Sequence, residues 1–157
     1  MSIWPSIVAV LGTLAGALTA GLLQHRSART ARAEERADSH RQDQLGAVTE
    51  FAAALDAHRS AMFHRERLAL TEAEPEHQLE AQTRSHDTRA AITAPHIRLQ
   101  VLVPDLAGPA QQAADATYAL RKAVDRAELD ARRHAAKEAS VAFIAAAATL
   151  LAPTAAD

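Results

Sequence analysis

The chain has 157 residues, about a quarter of them alanine, with 3% aromatic residues, no cysteine and a formal net charge of −2. No cysteine means no disulfide framework and no thiolate zinc site, and the absence of a global basic excess argues against direct nucleic acid binding. Alanine loses no side-chain entropy in a helix, so the composition predicts an all-α protein whose thin core requires close helix packing.

Residues 3–23, IWPSIVAVLGTLAGALTAGLL, contain no charged side chain. These 21 residues would form a helix about 31 Å long, close to a hydrocarbon thickness of about 30 Å. Trp4 stands at one end, where an amphipathic ring suits the headgroup level, and Pro5 is tolerated in a first helical turn. A cleaved signal peptide would need positive charge before the apolar run, but the arginines follow it. The expectation is therefore a retained, single-pass transmembrane anchor. Arg26, Arg29, Arg32, Arg36 and Arg41 lie just past the run and none lies before it, which places the N-terminus outside and the bulk of the chain in the cytoplasm. Arg26, Arg29 and Arg32 also favour anionic lipid headgroups. Gly12 and Gly16 form a GxxxG that Ala20 extends by a turn, a spacing that lets two membrane helices approach closely. This predicts a homo-oligomer.

No proline occurs between Ser6 and Glu74, so the anchor can continue into a long helix. Residues 24–44 are almost all polar or alanine and read as a helical stalk, with partial disorder or a break near Asp38 as the alternative. Apolar periodicity begins at Leu45: Leu45, Val48, Ala52, Leu55 and Met62 follow three-four spacing with Phe51 beside them. Leu45, Val48, Phe51, Leu55 and Met62 are the predicted packing residues. This helix should end near Thr71, before TEAEPEH, and the next should begin near Glu76.

The second helix is expected to carry Leu79, His86, Ala90, Ile97 and Val101 on roughly one apolar face, with Ile92 adjacent, and a kink or break at Pro95. HIRLQVLV alternates like a strand, but a lone strand would lack a partner, so it is read as helix. PDLAGPA is a turn, and Pro109 should open a third helix ending near Ala123. Asp125 and Glu128 fit a capping box for a last helix from Arg126 to about Leu151. Its tail, VAFIAAAATLLA, is too short to span a bilayer and reads as core. The organisation predicted is an anchor over residues 1–23, a stalk over 24–44, an antiparallel bundle of three to four helices over 45–153 and a tail over 154–157.

Catalytic signatures are thin. Glu74 and His77 have a Glu-x-x-His spacing, but di-iron bundles need it twice with two further glutamates. Asp130, His134 and Glu138 stack at four-residue spacing, which is more simply an exposed face of charge pairs. His58 and His64 fall on different faces. There is no Gly-rich phosphate loop and no nucleophile elbow. No enzyme, metal or cofactor is expected.

Taken together, WPSIVAVLGTLAGALTAGLLQHRSAR, TRAAITAPHIRLQVLVPDLAGPA and ATYALRKAV resemble the small actinomycete membrane proteins called KilB. TAPHIRLQVL is the best-matched piece. The resemblance implies a single anchor, a helical cytoplasmic part and participation in a membrane-associated assembly for plasmid spread. It supplies no catalytic residues. The sequence reading is thus a self-associating, membrane-anchored scaffold or adaptor with protein partners. Two alternatives stand beside it: a toxin-like or stress-response membrane protein that oligomerises in the bilayer, and a soluble bundle that uses residues 3–23 as a core helix.

Overall fold

The computed structural model describes the backbone of residues 4–152 and the side chains of Arg32 and residues 34–152. Among the described residues all regular structure is helical: α1 (Trp4–Leu70), α2 (Pro75–Ala91), α3 (Thr93–Leu102), a 3-10 turn (Pro104–Leu106), α4 (Ala107–Tyr118) and α5 (Arg126–Leu150). The chain divides into two compact units, Met1–Arg41 and Gln42–Asp157. In the first unit the described side chains, Arg32 and residues 34–40, are exposed and Arg41 is half-buried. Among the described residues no helix is long and apolar enough to cross a membrane. The side chains of the predicted anchor, residues 3–23, lie outside the described ones.

The second unit is an up-down-up-down bundle, and its register can be read from pairs of touching residues. Gln44 donates to the Leu102 carbonyl, Arg98 pairs with Glu50, and His58 bonds Thr88. As α1 advances, its partners on α3 and α2 recede, so α2 and α3 together form one antiparallel column. Tyr118 packs on His58 and the Lys122 N–H reaches Glu66, so α4 runs parallel to α1. Phe51 meets Phe143, and Arg59 meets Ser140, so α5 runs antiparallel.

Helix ends follow local chemistry. α1 stops one residue before the expected Thr71. The Ala73 N–H bonds the Leu68 carbonyl at 3.1 Å and the Glu72 N–H bonds the Ala69 carbonyl at 3.4 Å, around Glu72 at φ 48°. This is a Schellman ending with glutamate in the left-handed position usually held by glycine. Pro75 opens α2 at its first helical position, where no N–H is needed. Pro95 cannot bond the Ala91 carbonyl, and the helix breaks three residues earlier, at Ile92, which keeps right-handed angles. Residues 93–102 are helical, not extended.

Three expectations need correction. The third bundle helix starts at Ala107, two residues before Pro109, and ends at Tyr118. The chain past Tyr118 turns, and Lys122 takes φ 58°. On α2 and α3 the predicted face points outward: Leu79, Ile97 and Val101 are exposed at 65%, 56% and 73%. The buried stripe is Ala81, Ser85, Ile92, Leu99 and Val103. Small Ala81 and Ser85 let α2 lie close to α1, whereas the Leu79 side chain would hold it off. The α5 tail is core on one stripe only, with Phe143 and Ala147 buried but Val141 and Ile144 exposed.

The core has two parts. One joins Phe51 and Leu55 to Leu99, Ala110, Ala114 and Phe143. Phe51 and Phe143 meet edge to face with centroids 5.3 Å apart, an arrangement worth about 0.5–1.5 kcal/mol beyond area burial. The other gathers Met62, Phe63, Leu120, Leu129 and Ala136.

Candidate functional site

The predicted packing residues fall on one side of α1. Phe51, Leu55 and Met62 are buried, Val48 is partly buried, and Leu45 is 47% exposed. Leu45 opens the periodic stretch, two residues before the first fully buried position, Ala47. Arg32 is exposed. Trp4, Gly12, Gly16, Ala20, Arg26 and Arg29 lie among the residues whose surroundings the structure does not describe.

The histidine and carboxylate spacings resolve into ordinary surface pairs. Asp130 accepts from Arg126 at 2.9 Å, and His134 lies 3.3 Å from Glu138. Arg67 donates to His64 Nδ1 at 3.2 Å. Glu74 and His77 sit where α2 begins, and His86, predicted on a buried face, is exposed. Among the described residues no group of three His, Asp or Glu is placed to hold a metal ion.

The polar feature that sequence reasoning missed is a crevice of about 430 Å³ between α1 and α2, reached also by the α4–α5 turn. His58, Met62 and Arg65 line it from α1, Ser85, His86 and Arg89 from α2, and Arg121 from the turn. His58 is only 1% exposed. The Thr88 hydroxyl donates to the Arg84 and Ser85 carbonyls at 2.9 and 3.2 Å. It therefore accepts from His58 Nδ1 at 3.0 Å, which assigns the proton to Nδ1. Nε2 is left as a buried lone pair without a hydrogen-bond partner. Burial, reinforced by the Arg89 and Arg65 charges, lowers the His58 pKa from 6.5 to about 4. The ring is neutral at physiological pH.

The arginines are held individually. The Ser85 hydroxyl donates to the Gln82 carbonyl and accepts from Arg65 Nη1 at 3.4 Å. Arg65 Nε lies 3.5 Å from Glu66, a carboxylate buried to 7% exposure. The Arg89 guanidinium lies over the Tyr118 ring, 4.3 Å from its centroid, a cation–π placement. Arg121 has no side-chain partner among the described residues, yet its backbone is fixed from two sides. Glu66 Oε2 accepts the Lys122 N–H at 2.9 Å, and Arg132 Nη1 donates to the Ala119 and Arg121 carbonyls at 2.9 and 2.7 Å.

The capping box that starts α5 anchors the same turn. Asp125 Oδ1 accepts the Glu128 N–H at 2.7 Å, and Glu128 Oε2 accepts the Val124 N–H at 2.8 Å, one residue earlier than the usual return bond. The Val124 N–H bond, with the Arg132 guanidinium, holds the Glu128 carboxyl below its ordinary pKa.

The architecture defines an all-α, up-down-up-down bundle protein whose polar crevice lies beside its second core cluster. Residues 45–151, most of that bundle, match the KilB plasmid transfer protein family. Over 143 residues the chain is 51% identical to Protein KilB of Streptomyces lividans, a match covering 91% of this chain and 95% of that protein. The chain belongs to the KilB family. No solved structure matches it.

Proposed function

We propose that this protein is a single-pass, membrane-anchored helical adaptor in a conjugative plasmid-transfer assembly. The observation that carries the reading is the joining of two parts in one chain. Residues 3–23 are uncharged and followed by arginines, and residues 45–151 match the plasmid-transfer family. The arginines after the apolar run orient the chain with its N-terminus outside and the bundle in the cytoplasm. Gly12, Gly16 and Ala20 bring anchors of neighbouring copies together. The protein acts by binding other members of the assembly, without catalysis or a cofactor.

The test is fractionation of cells expressing the full-length chain with a C-terminal tag, followed by carbonate wash and protease treatment of spheroplasts. A carbonate-resistant tag shielded from protease is the expected result. A full-length protein found wholly in the soluble fraction would sink the anchor and return residues 3–23 to the role of a core helix. Gly16→Ile should reduce crosslinking between copies in membranes, and unchanged crosslinking would remove the GxxxG contact.

A further inference from the structure

We propose that the crevice between α1 and α2 is a binding site for a small phosphate-bearing anion. Its lining carries three guanidiniums, Arg65, Arg89 and Arg121, and no carboxylate. The chain as a whole carries −2, so this is a local reversal of charge. Converging like charges are mutually repulsive, and the fold offsets only part of the repulsion. Glu66 pairs with Arg65 and the Tyr118 ring faces Arg89, while Arg121 is left unpaired among the described residues. The uncompensated charge is what a bound anion would neutralise.

The donors are also preorganised. Ser85 orients Arg65, Tyr118 seats Arg89, and Glu66 and Arg132 fix the turn that presents Arg121. Lys122, next to Arg121, holds the left-handed φ of 58°, and such backbone strain concentrates at functional sites. The crevice, at about 430 Å³, falls within the range of small-ligand sites, roughly 300–1,000 Å³. It suits a pyrophosphate group, either alone or as part of a nucleoside phosphate.

His58 supplies an internal reporter. It shares the crevice with Arg65 from α1, His86 and Arg89 from α2 and Arg121 from the turn, and Tyr118 of α4 packs on its ring. Burial first, then the Arg89 and Arg65 charges, depress its pKa. An anion that neutralises them would raise it.

The test is calorimetric titration of the full chain in non-ionic detergent with inorganic pyrophosphate, at ionic strength matched with chloride, then with ADP. Saturable binding of one pyrophosphate per chain is expected, with the His58 ring titrating at higher pH by NMR when the site is filled. Arg121→Gln, an exposed change that should leave the circular dichroism unaltered, should weaken binding by about tenfold or more. Arg98→Gln, outside the crevice, should not weaken it. Tighter binding of ADP would assign the site to a nucleoside phosphate, and equal affinity would assign it to the phosphates alone. No saturable binding at millimolar pyrophosphate would overturn the proposal. So would equal weakening by Arg98→Gln, or binding of duplex DNA in place of pyrophosphate.

Discussion

The two core clusters of the bundle meet the same shortage of large side chains in different ways. Around Phe51 the core is filled by the edge-to-face contact with Phe143, by His96 with its ring centroid 5.1 Å away, and by alanines that bring α4 close. Around Met62 and Phe63 there is no second phenylalanine. Phe63 is faced instead by the guanidiniums of Arg133 and Arg126, at 4.1 and 5.3 Å from its centroid. Polar side chains take over the burial there: His58, Glu66 and Ser85 are all below 9% exposure. A core closed by aromatic rings leaves little room for a solvent-lined space. One closed by paired polar groups leaves a crevice with directed donors, because each polar group needs a partner and cannot slide to fill a void.

The largest expected effect would break the apolar cluster. Phe51→Ala should destabilise the folded bundle by about 3–5 kcal/mol, read by urea denaturation. Phe63→Ala should cost clearly less, because that ring is at the edge of the core under two arginines. Equal losses would mean the two clusters do not differ as described. Next in size is a pH effect confined to the crevice end. His58 is protonated in the unfolded chain below about 6.5 but in the folded chain only below about 4. Between these values the unfolded state binds more protons, so stability is present above pH 6.5 and is lost as pH falls towards 4. At about 1.4 kcal/mol per pH unit of that gap, the loss reaches up to about 3 kcal/mol. His58→Gln should flatten this part of the stability–pH curve. A slope unchanged by the substitution would place the titrating group elsewhere.

The difference between the clusters also explains what was legible in the sequence. Helix ends are written in local chemistry, which is why Pro75 and the Asp125–Glu128 pair stand within a residue or so of their expected places. The side of α1 that carries Phe51, Leu55 and Met62 follows from the spacing of its large residues. The outward turn of Leu79, Ile97 and Val101 was not legible by that route, because Ala81, Ser85 and Ile92 share a face at the same helical period. Period alone does not choose between two faces. The choice depends on how closely α1 approaches, a tertiary quantity. The crevice was hidden for a related reason. Its arginines come from α1, α2 and a turn, separated by tens of residues, and none forms a motif. One signal was present: a histidine and a threonine at positions 58 and 88, polar residues on the facing stripes of two antiparallel helices.

Two smaller effects sharpen the comparison at the crevice end. Asp125→Ala removes the cap of α5 and should cost about 1 kcal/mol. Since the same capping box steadies the turn carrying Arg121, the loss should come with faster amide exchange at residues 119–124. The apolar cluster should exchange at its usual rate. A loss spread evenly over the bundle would indicate that the turn has no separate stability.

The smallest effects should be gains. Glu72 and Lys122 are the two non-glycine residues with positive φ among the described residues, and they follow the parallel helices α1 and α4. A side chain in that conformation crowds its own backbone. Glycine does not, although it loses more entropy on folding. The balance predicts that Glu72→Gly and Lys122→Gly each raise stability by about 0.5–1 kcal/mol. Their difference is informative. Glu72 closes a Schellman ending and has no part in the crevice, so its gain should leave anion binding untouched. Lys122 stands beside Arg121, with its N–H held by buried Glu66. Glycine there keeps that hydrogen bond while loosening the turn, so its stability gain should be accompanied by weaker pyrophosphate binding. If both variants gained stability and bound alike, the strain at Lys122 would belong to the fold alone.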